Sequence, residues 1–444
     1  MVLALLLILM PVGMKAQQPQ PAPVPENQPA DDAPLALPVT LNGQGGSLAF
    51  QSEVPTESYL KGGVGFTGSY TNNALLSTTN KLGNFSYLVQ PHLAWSEITP
   101  RLTLNLGLSG GVIFNDNLAD QNQAAENVNL DATWRLTEHV SFRLADTFSN
   151  LTGLFSSIGS QEPGPGVGTV EQSNNSLLVP PAQRTLSNQS LAELTDQVGP
   201  HSVVGVRGTY WLLDYPRSAE SGEFGTLYNT RAYLAEAFYD WRFAAKQWLG
   251  VTVRGQRFDT LPAIATTDVG SLFVYYSVVP TPTVTLTLFG GPEYSDTPQT
   301  TALTALGLNG MGRFWTGGEG ATLNWEASRT SANLSFVRQL NDGGGLASAV
   351  ILQTVSAKLR QKLSNHQNEV QFGVADSKND PVLSGASFEG LSAFALLQQR
   401  LGRSFMMQGG YSWQRQDLPG AGTSADANRV WFSVSYDFVR PLGK

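Results

Sequence analysis

The chain has 444 residues, no cysteine, 45 glycines, 14% charged residues and a formal net charge of −8. That acidic, sparsely charged balance argues against nucleic acid as a partner, which would need basic patches. The length fits two or three domains or one large barrel, and the lack of cysteine suits a chain that crosses an oxidising compartment unfolded.

Residues Val2–Met10 are continuously apolar but too short to span a bilayer as a helix. With Pro11 and Gly13 following, they resemble the hydrophobic region of a secretory signal peptide, so residues 1–16 are expected to be cleaved after Ala16. Residues 17–57 begin Gln17-Gln18-Pro19-Gln20-Pro21-Ala22-Pro23-Val24-Pro25. Such a Pro/Gln-rich run buries too little apolar surface to fold and reads as a disordered periplasmic linker.

Residues 58–444 change character. In 101–113, Leu102, Leu104, Leu106 and Leu108 alternate with Thr103, Asn105, Gly107 and Ser109. Period two places the leucines on one face of a strand and the polar set on the other. Val128, Leu130, Ala132 and Trp134 repeat the pattern, as do Leu249, Val251 and Val253, and Val370, Phe372 and Val374. Eighteen such segments follow: 60–70, 84–96, 101–113, 127–136, 139–148, 186–197, 201–212, 228–243, 247–258, 269–279, 283–294, 313–327, 331–340, 346–360, 366–376, 388–399, 403–415 and 428–438. The sixth, tenth, twelfth, fourteenth and sixteenth alternate poorly, which leaves 16 strands as the alternative.

The gaps between segments alternate too. Short ones such as Glu97-Ile98-Thr99-Pro100 and Thr137-Glu138-His139 take turns with long, polar, acidic ones. In lipid every backbone polar group needs a partner inside the protein, so only helices and closed β-barrels span. A spanning barrel carries short turns on one side and long loops on the other. The expected fold is therefore all-β: a transmembrane, antiparallel, up-and-down barrel of about 18 strands. Trp95, Trp134, Trp241, Trp248 and Trp325 stand near short turns, where an interfacial aromatic girdle belongs.

In the last segment Val430, Phe432, Val434, Tyr436 and Phe438 alternate with Trp431, Ser433, Ser435 and Asp437. This resembles the C-terminal signature of Gram-negative outer-membrane β-barrels of porin type. The resemblance is architectural, covers about residues 60–438 and includes no subfamily motif. Members usually end at the terminal aromatic, whereas here Val439–Lys444 follow. It implies a bacterial outer-membrane location, contact with outer-membrane lipid, and recognition of 428–438 by the barrel-assembly machinery. A homo-oligomer is left open.

Chemistry is thinly represented. By this topology His139, His201 and His366 fall near three different short turns, too dispersed for a shared metal, and His92 faces the lumen with Ser86 and Ser96 as neighbours. Glu319/Glu326 and Glu236/Asp240 could pose as acid–base pairs, but carboxylates in a wet lumen are more often solvated or paired with arginine. No catalytic residue, metal or cofactor is expected. Inward positions supply the pore-lining candidates Arg101, Asp131, Arg135, Arg143, Glu193, Arg207, Glu236, Asp240, Arg242, Arg254, Glu326 and Glu369. They form either a charge ring that sets ion preference or a salt-bridge lattice that braces the wall. The longest loop, 149–185, is the candidate constriction, with Leu154, Phe155, Ile158, Glu162, Leu177 and Leu178 packing against the wall. The expected function is a pore for diffusion or uptake of small hydrophilic solutes. The alternatives are a barrel component of an export or envelope-assembly complex, such as exopolysaccharide export, and an outer-membrane hydrolase.

Overall fold

A computed structural model describes residues 58–152, 183–216, 227–262, 264–306, 312–343, 345–346, 349–363, 368–383, 387–402, 404–418 and 423–442. The expected signal peptide and linker, 1–57, and the loop residues Leu154, Phe155, Ile158, Glu162, Leu177 and Leu178 lie outside the described residues, as does His366.

Strands β1 (Tyr59–Thr71), β2 (Asn84–Ile98), β3 (Leu102–Asn115), β4 (Gln123–Arg135), β5 (Val140–Thr152) and β6 (Arg184–Gly199) open the sheet. There follow β7 (Ser202–Asp214), β8 (Asn229–Ala244), β9 (Gln247–Leu261), β10 (Ala265–Thr281), β11 (Val284–Asp296) and β12 (Arg313–Glu326). The last six are β13 (Thr330–Asn341), β14 (Val350–Lys362), β15 (Asn368–Pro381), β16 (Phe388–Leu401), β17 (Phe405–Leu418) and β18 (Thr423–Pro441). Each strand pairs antiparallel with its sequence neighbours. β18 returns to β1, from Tyr59↔Pro441 to Thr71↔Arg429, and closes an 18-stranded barrel. Closure leaves no free sheet edge at the seam. The weakly alternating segments are all full strands, so the count is 18 and not 16.

One rim carries tight turns, for example 99–101, 136–139, 200–201, 245–246 and 282–283. The other carries 72–83, 153–183, 215–228 and 297–312. Two connections on this second rim differ from expectation, being as short as 262–264 and 419–422. There β9, β10, β17 and β18 continue past their expected ends as polar ribbons. Arg257 Nε donates to Asp268 Oδ1 at 2.8 Å across β9–β10, and both are well exposed. Loop-like composition thus conceals strand, because the outer face here is polar and wet while the inner face is covered through short residues such as Thr260, Ala265, Thr267 and Ala425.

Along the wall, alternate residues are buried and exposed; β9 from Leu249 to Phe258 is an unbroken example. The exposed set is apolar: Val64, Phe66, Leu93, Val112, Val206, Val251, Val253, Leu272 and Val274 are each more than a third exposed. A patch of this extent would be unstable in water and matches hydrocarbon. Aromatic pairs bound it. Trp134–Phe142 (5.8 Å), Trp241–Phe243 (5.7 Å) and Phe405–Tyr436 (5.1 Å) lie toward the tight-turn rim. Tyr70–Phe85 (4.7 Å), Tyr210–Tyr233 (5.3 Å) and Tyr294–Trp315 (5.1 Å) lie toward the other. Trp248 is a correction. It pairs in register with the buried, lumen-facing Ser277 and so points inward, away from the girdle. Val253 is 58% exposed in mid-wall. Val253→Arg should therefore lower folding stability by roughly 2–4 kcal/mol, read by denaturant titration into bilayers, with Gly199→Arg at the rim nearly neutral.

Two prolines interrupt the wall. Ladder pairs lapse around Pro91, between Val89↔Val112 and His92↔Ser109, and around Pro292, between Ser271↔Glu293 and Val274↔Gly290. Proline has no N–H to contribute to the ladder. Opposite or beside each stands a glycine under a backbone carbonyl, Gly111 under Val89 O and Gly291 under Leu272 O, where no side chain would fit.

Candidate functional site

The charged lumen residues assemble into a ladder. Arg143, Glu193, Arg207, Glu236 and Arg254 are cross-strand partners in sequence, on β5 to β9. The row continues through Ser271 on β10 to Glu293 on β11. Signs alternate at every charged step. Arg143 Nη2 contacts Asp131 Oδ2 at 2.6 Å. Arg207 Nε donates to Glu193 Oε2 at 2.6 Å, and its Nη1 to Glu236 Oε1 at 3.3 Å. Arg254 Nη2 and the Ser271 hydroxyl both donate to Glu293 Oε1, at 3.3 and 3.1 Å. Arg254 also lies over the Phe273 ring, 5.0 Å from its centroid. Opposite charges on adjacent strands cancel over a few ångströms. The row is arranged as the salt-bridge lattice weighed from the sequence would be, with each charge facing an opposite one.

A second feature narrows the lumen. β12 pairs with β13 only from Glu326↔Ser331 to Glu319↔Arg338, while β13–β14 pairing continues to Asn341↔Val350. Above Arg338 the consecutive residues Gln339, Leu340, Asn341 and Asp342 are all buried. A strand held in a wall buries alternate residues. Burial on both faces shows that the tip of β13 has stepped inside the wall. Leu340 N–H donates to Glu293 Oε2 at 3.0 Å, reaching past Gly318, where a Cβ would come within 2.9 Å of that carboxylate.

The turn beyond β13 is anchored on β7 and β8, with β9 to β12 lying between in the barrel order. Trp211 Nε1 donates to Asp342 Oδ2 at 3.0 Å, Thr230 Oγ1 to the same oxygen at 3.4 Å, and Tyr228 N–H to Gly345 O at 2.8 Å. Leu340 and Ala349 pack with Trp211, Ala232, Phe258 and Val269. The Tyr215 ring lies against Gly345, whose φ of +109° needs glycine. Burial pushes the Tyr215 phenol up, so it stays neutral. Nearer the rim, α1 (Thr301–Ala305) seats Leu303 on Ile264, Ala265 and Leu383. Strand tip, turn and loops therefore cross the lumen at the long-loop rim.

The remaining candidates are dispersed. Glu369 takes Arg360 Nη2 at 2.6 Å, and Asp240 accepts from the Tyr275 hydroxyl. Arg101, Arg135, Arg242 and Glu326 stand at the tight-turn rim, where Arg242 meets His201 at 3.2 Å. His92 Nε2 lies 2.7 Å from Asp437 Oδ1, and Lys61 Nζ lies 3.2 Å from Asp437 Oδ2. The hydroxyls of its two neighbouring serines are engaged elsewhere: Ser86 Oγ donates to Asn115 Oδ1 at 2.7 Å and Ser96 Oγ to Asn105 Oδ1 at 3.0 Å. Glu319 and Glu326 project to opposite faces of β12, which parts that pair.

No protein-family model matches the sequence, and no curated protein matches it. Solved structures with a similar chain course include Pseudomonas aeruginosa OccK2 (OpdF) in complex with glucuronate, at 9% identity and TM-score 0.45, covering 86% of this chain and 98% of that one. Pseudomonas aeruginosa OpdK with vanillate is 8% identical, with TM-score 0.44, 86% of this chain and 99% of that chain. Acinetobacter baumannii OccAB4 is 9% identical, with TM-score 0.43 and the same coverage of 86% and 99%. The functional reading rests on this chain's own residues.

Two members of the site escape sequence reasoning. Glu293 follows Gly290-Gly291-Pro292, which erases the alternation that would have marked it as inward. Asp342 opens the run Gly343-Gly344-Gly345, a turn signal that says nothing of the distant strand it meets.

Proposed function

We propose that this chain is an outer-membrane channel for small hydrophilic solutes. The observation that carries this reading is the wall itself. Eighteen strands close around a polar inner face while the outer face is apolar and girdled by aromatics. Barrels of about 8 strands are filled by their own side chains, whereas those of about 16–18 enclose an aqueous passage. The tight-turn rim faces the periplasm, as does the seam end of β18, and the long acidic loops face out. The outward row Val430, Phe432, Tyr436 and Phe438 on the strand that closes the barrel suits β18 as the segment read by the assembly machinery. The protein supplies a passage and its selectivity, with no bond-making chemistry.

Planar-bilayer recording of the refolded protein tests this. Discrete, ohmic current steps in KCl are expected. A folded barrel that inserts and passes no current overturns the reading.

A further inference from the structure

We infer that the tip of β13 is a two-position gate, which leaves its dock inside the lumen and zips onto the vacant edge of β12, widening the passage. The inference rests on the channel reading above and names how that channel opens. β11 pairs with β12 as far as Asp296↔Arg313, but the β12–β13 ladder stops at Glu319↔Arg338. Among the described residues no strand pairs with Arg313–Gly318 on that side. The stretch rises from the wall to the outer girdle, where Trp315 meets Tyr294. An unpaired edge is a template for another strand, and facing lipid its N–H and C=O groups are costly to leave open. The register names the occupant. Continued step by step, the ladder sets Gln339 opposite Gly318, Leu340 opposite Gly317 and Asn341 opposite Thr316.

In an antiparallel ladder, hydrogen-bonded pairs alternate with unbonded ones. Ala327 N–H donates to Thr330 O at 2.8 Å, so the odd-numbered residues of β12 aim their backbone groups at β13. Gly317 and Leu340 would therefore form a bonded pair. Each is now held by a side chain that stands in for the other. Leu340 N–H donates to Glu293 Oε2 at 3.0 Å, and Gly317 O accepts from Arg338 Nη1 at 2.8 Å. Zipping trades both substitutes for the backbone bond that the register provides.

The tip carries the alternation of a wall strand. Ser335, Val337, Gln339 and Asn341 share the inward phase, and Leu334, Phe336 and Leu340 the outward one. Leu340 and its β14 partner Ile351 now pack with Trp211 and Phe258. Zipped into the wall, they would face hydrocarbon, which is as apolar as the cluster they leave. β13 stays paired with β14 to Asn341↔Val350, so the hairpin moves as one piece. Asp342, held by Trp211 and Thr230, is the latch on the docked position. Two arrangements that satisfy the same backbone groups, with a latch on one of them, make a bistable element.

The chain has no cysteine, so an introduced pair is free of background. A Cβ on Gly317 meets only Arg338 Nη1, at 4.0 Å. In the double variant Gly317→Cys/Leu340→Cys, zipping brings the two Cα atoms to about 5.5 Å, within reach of a disulfide. Docked, residue 340 faces Trp211 and Phe258 instead. Oxidising the bilayer-inserted protein should form the cross-link, read by peptide mass, and hold single-channel conductance at a level above that of the reduced form. Dithiothreitol should reverse both. Gly317→Pro serves where the cysteine variant fails to fold. It removes the N–H that Leu340 O would take, and proline is tolerated on an open edge. Added to Asp342→Ala, it should abolish the larger level. A folded cysteine variant that does not cross-link, or whose cross-link leaves conductance unchanged, overturns the inference and leaves the channel reading standing. So does a larger level that survives Gly317→Pro. Absence of current in every form removes the channel reading, while the cross-link still decides whether β13 rejoins β12.

Discussion

Arg254→Met should destabilise the folded barrel by about 3–5 kcal/mol, the cost of leaving one member of a buried ion pair uncompensated. The Arg254 side chain is 2% exposed and its partner Glu293 is wholly buried. With its carboxamide oxygen turned toward the guanidinium, Gln256 accepts from Arg254 Nε at 2.5 Å, so a third group loses its partner as well. Among the described residues Glu293 keeps only Ser271 and the Leu340 amide, too little to solvate an anion in that position. Adding Glu293→Gln should restore much of the loss, since two neutral groups of similar volume are often as stable as a buried pair. Urea titration of the lipid-inserted protein, followed by the shift in gel mobility between folded and unfolded forms, reads both. Equal stability of wild type and Arg254→Met would show that the ladder is not bearing on the fold. The same substitution at Arg313, whose side chain is 74% exposed in its contact with Asp296, should change stability by well under about 1 kcal/mol.

Asp342→Ala should release the turn that crosses the lumen. The carboxylate holds Trp211 and Thr230, and a hydrogen bond to a charged acceptor is worth about 1.5–3 kcal/mol. Loss of that anchor shifts the docked–undocked balance of the turn by roughly 10- to 100-fold. The apolar contacts of Leu340 and Ala349 remain, so the result is a larger and noisier single-channel conductance with the barrel intact. Trp211→Phe keeps the ring and drops the N–H, and should move conductance the same way by less. A quiet channel of wild-type size in both variants would mean that the turn is held by its apolar packing and the Tyr228–Gly345 backbone bond instead.

The wall was legible because lipid imposes a strict rule. Leu102, Leu104 and Leu106, or Leu249, Val251 and Val253, must all point one way, and a slip of one residue would turn every side chain over. The charged inward residues Arg143, Glu193, Arg207, Glu236 and Arg254 were legible as a set for the same reason. Their pairing was not, since adjacency across strands depends on register, and register is fixed by where each turn closes. The strand extensions around 262–264 were misread because outside the bilayer polarity no longer separates strand from loop. Trp248 was misplaced by a single residue of phase.

By itself, then, the sequence determined a closed barrel of about 18 strands, its inner and outer faces and its two unlike rims, because alternation and turn spacing are local properties; the choice of 18 over 16 came from the pairing. Only the tertiary structure decided what fills the lumen. The departure of β13 from β12, the reach of Asp342 to Trp211 and Thr230, and the packing of Leu340 and Ala349 with Phe258 and Val269 join groups that the chain keeps apart. Such contacts leave no period in the sequence. They exist only once the wall has curved round and brought its inner faces together.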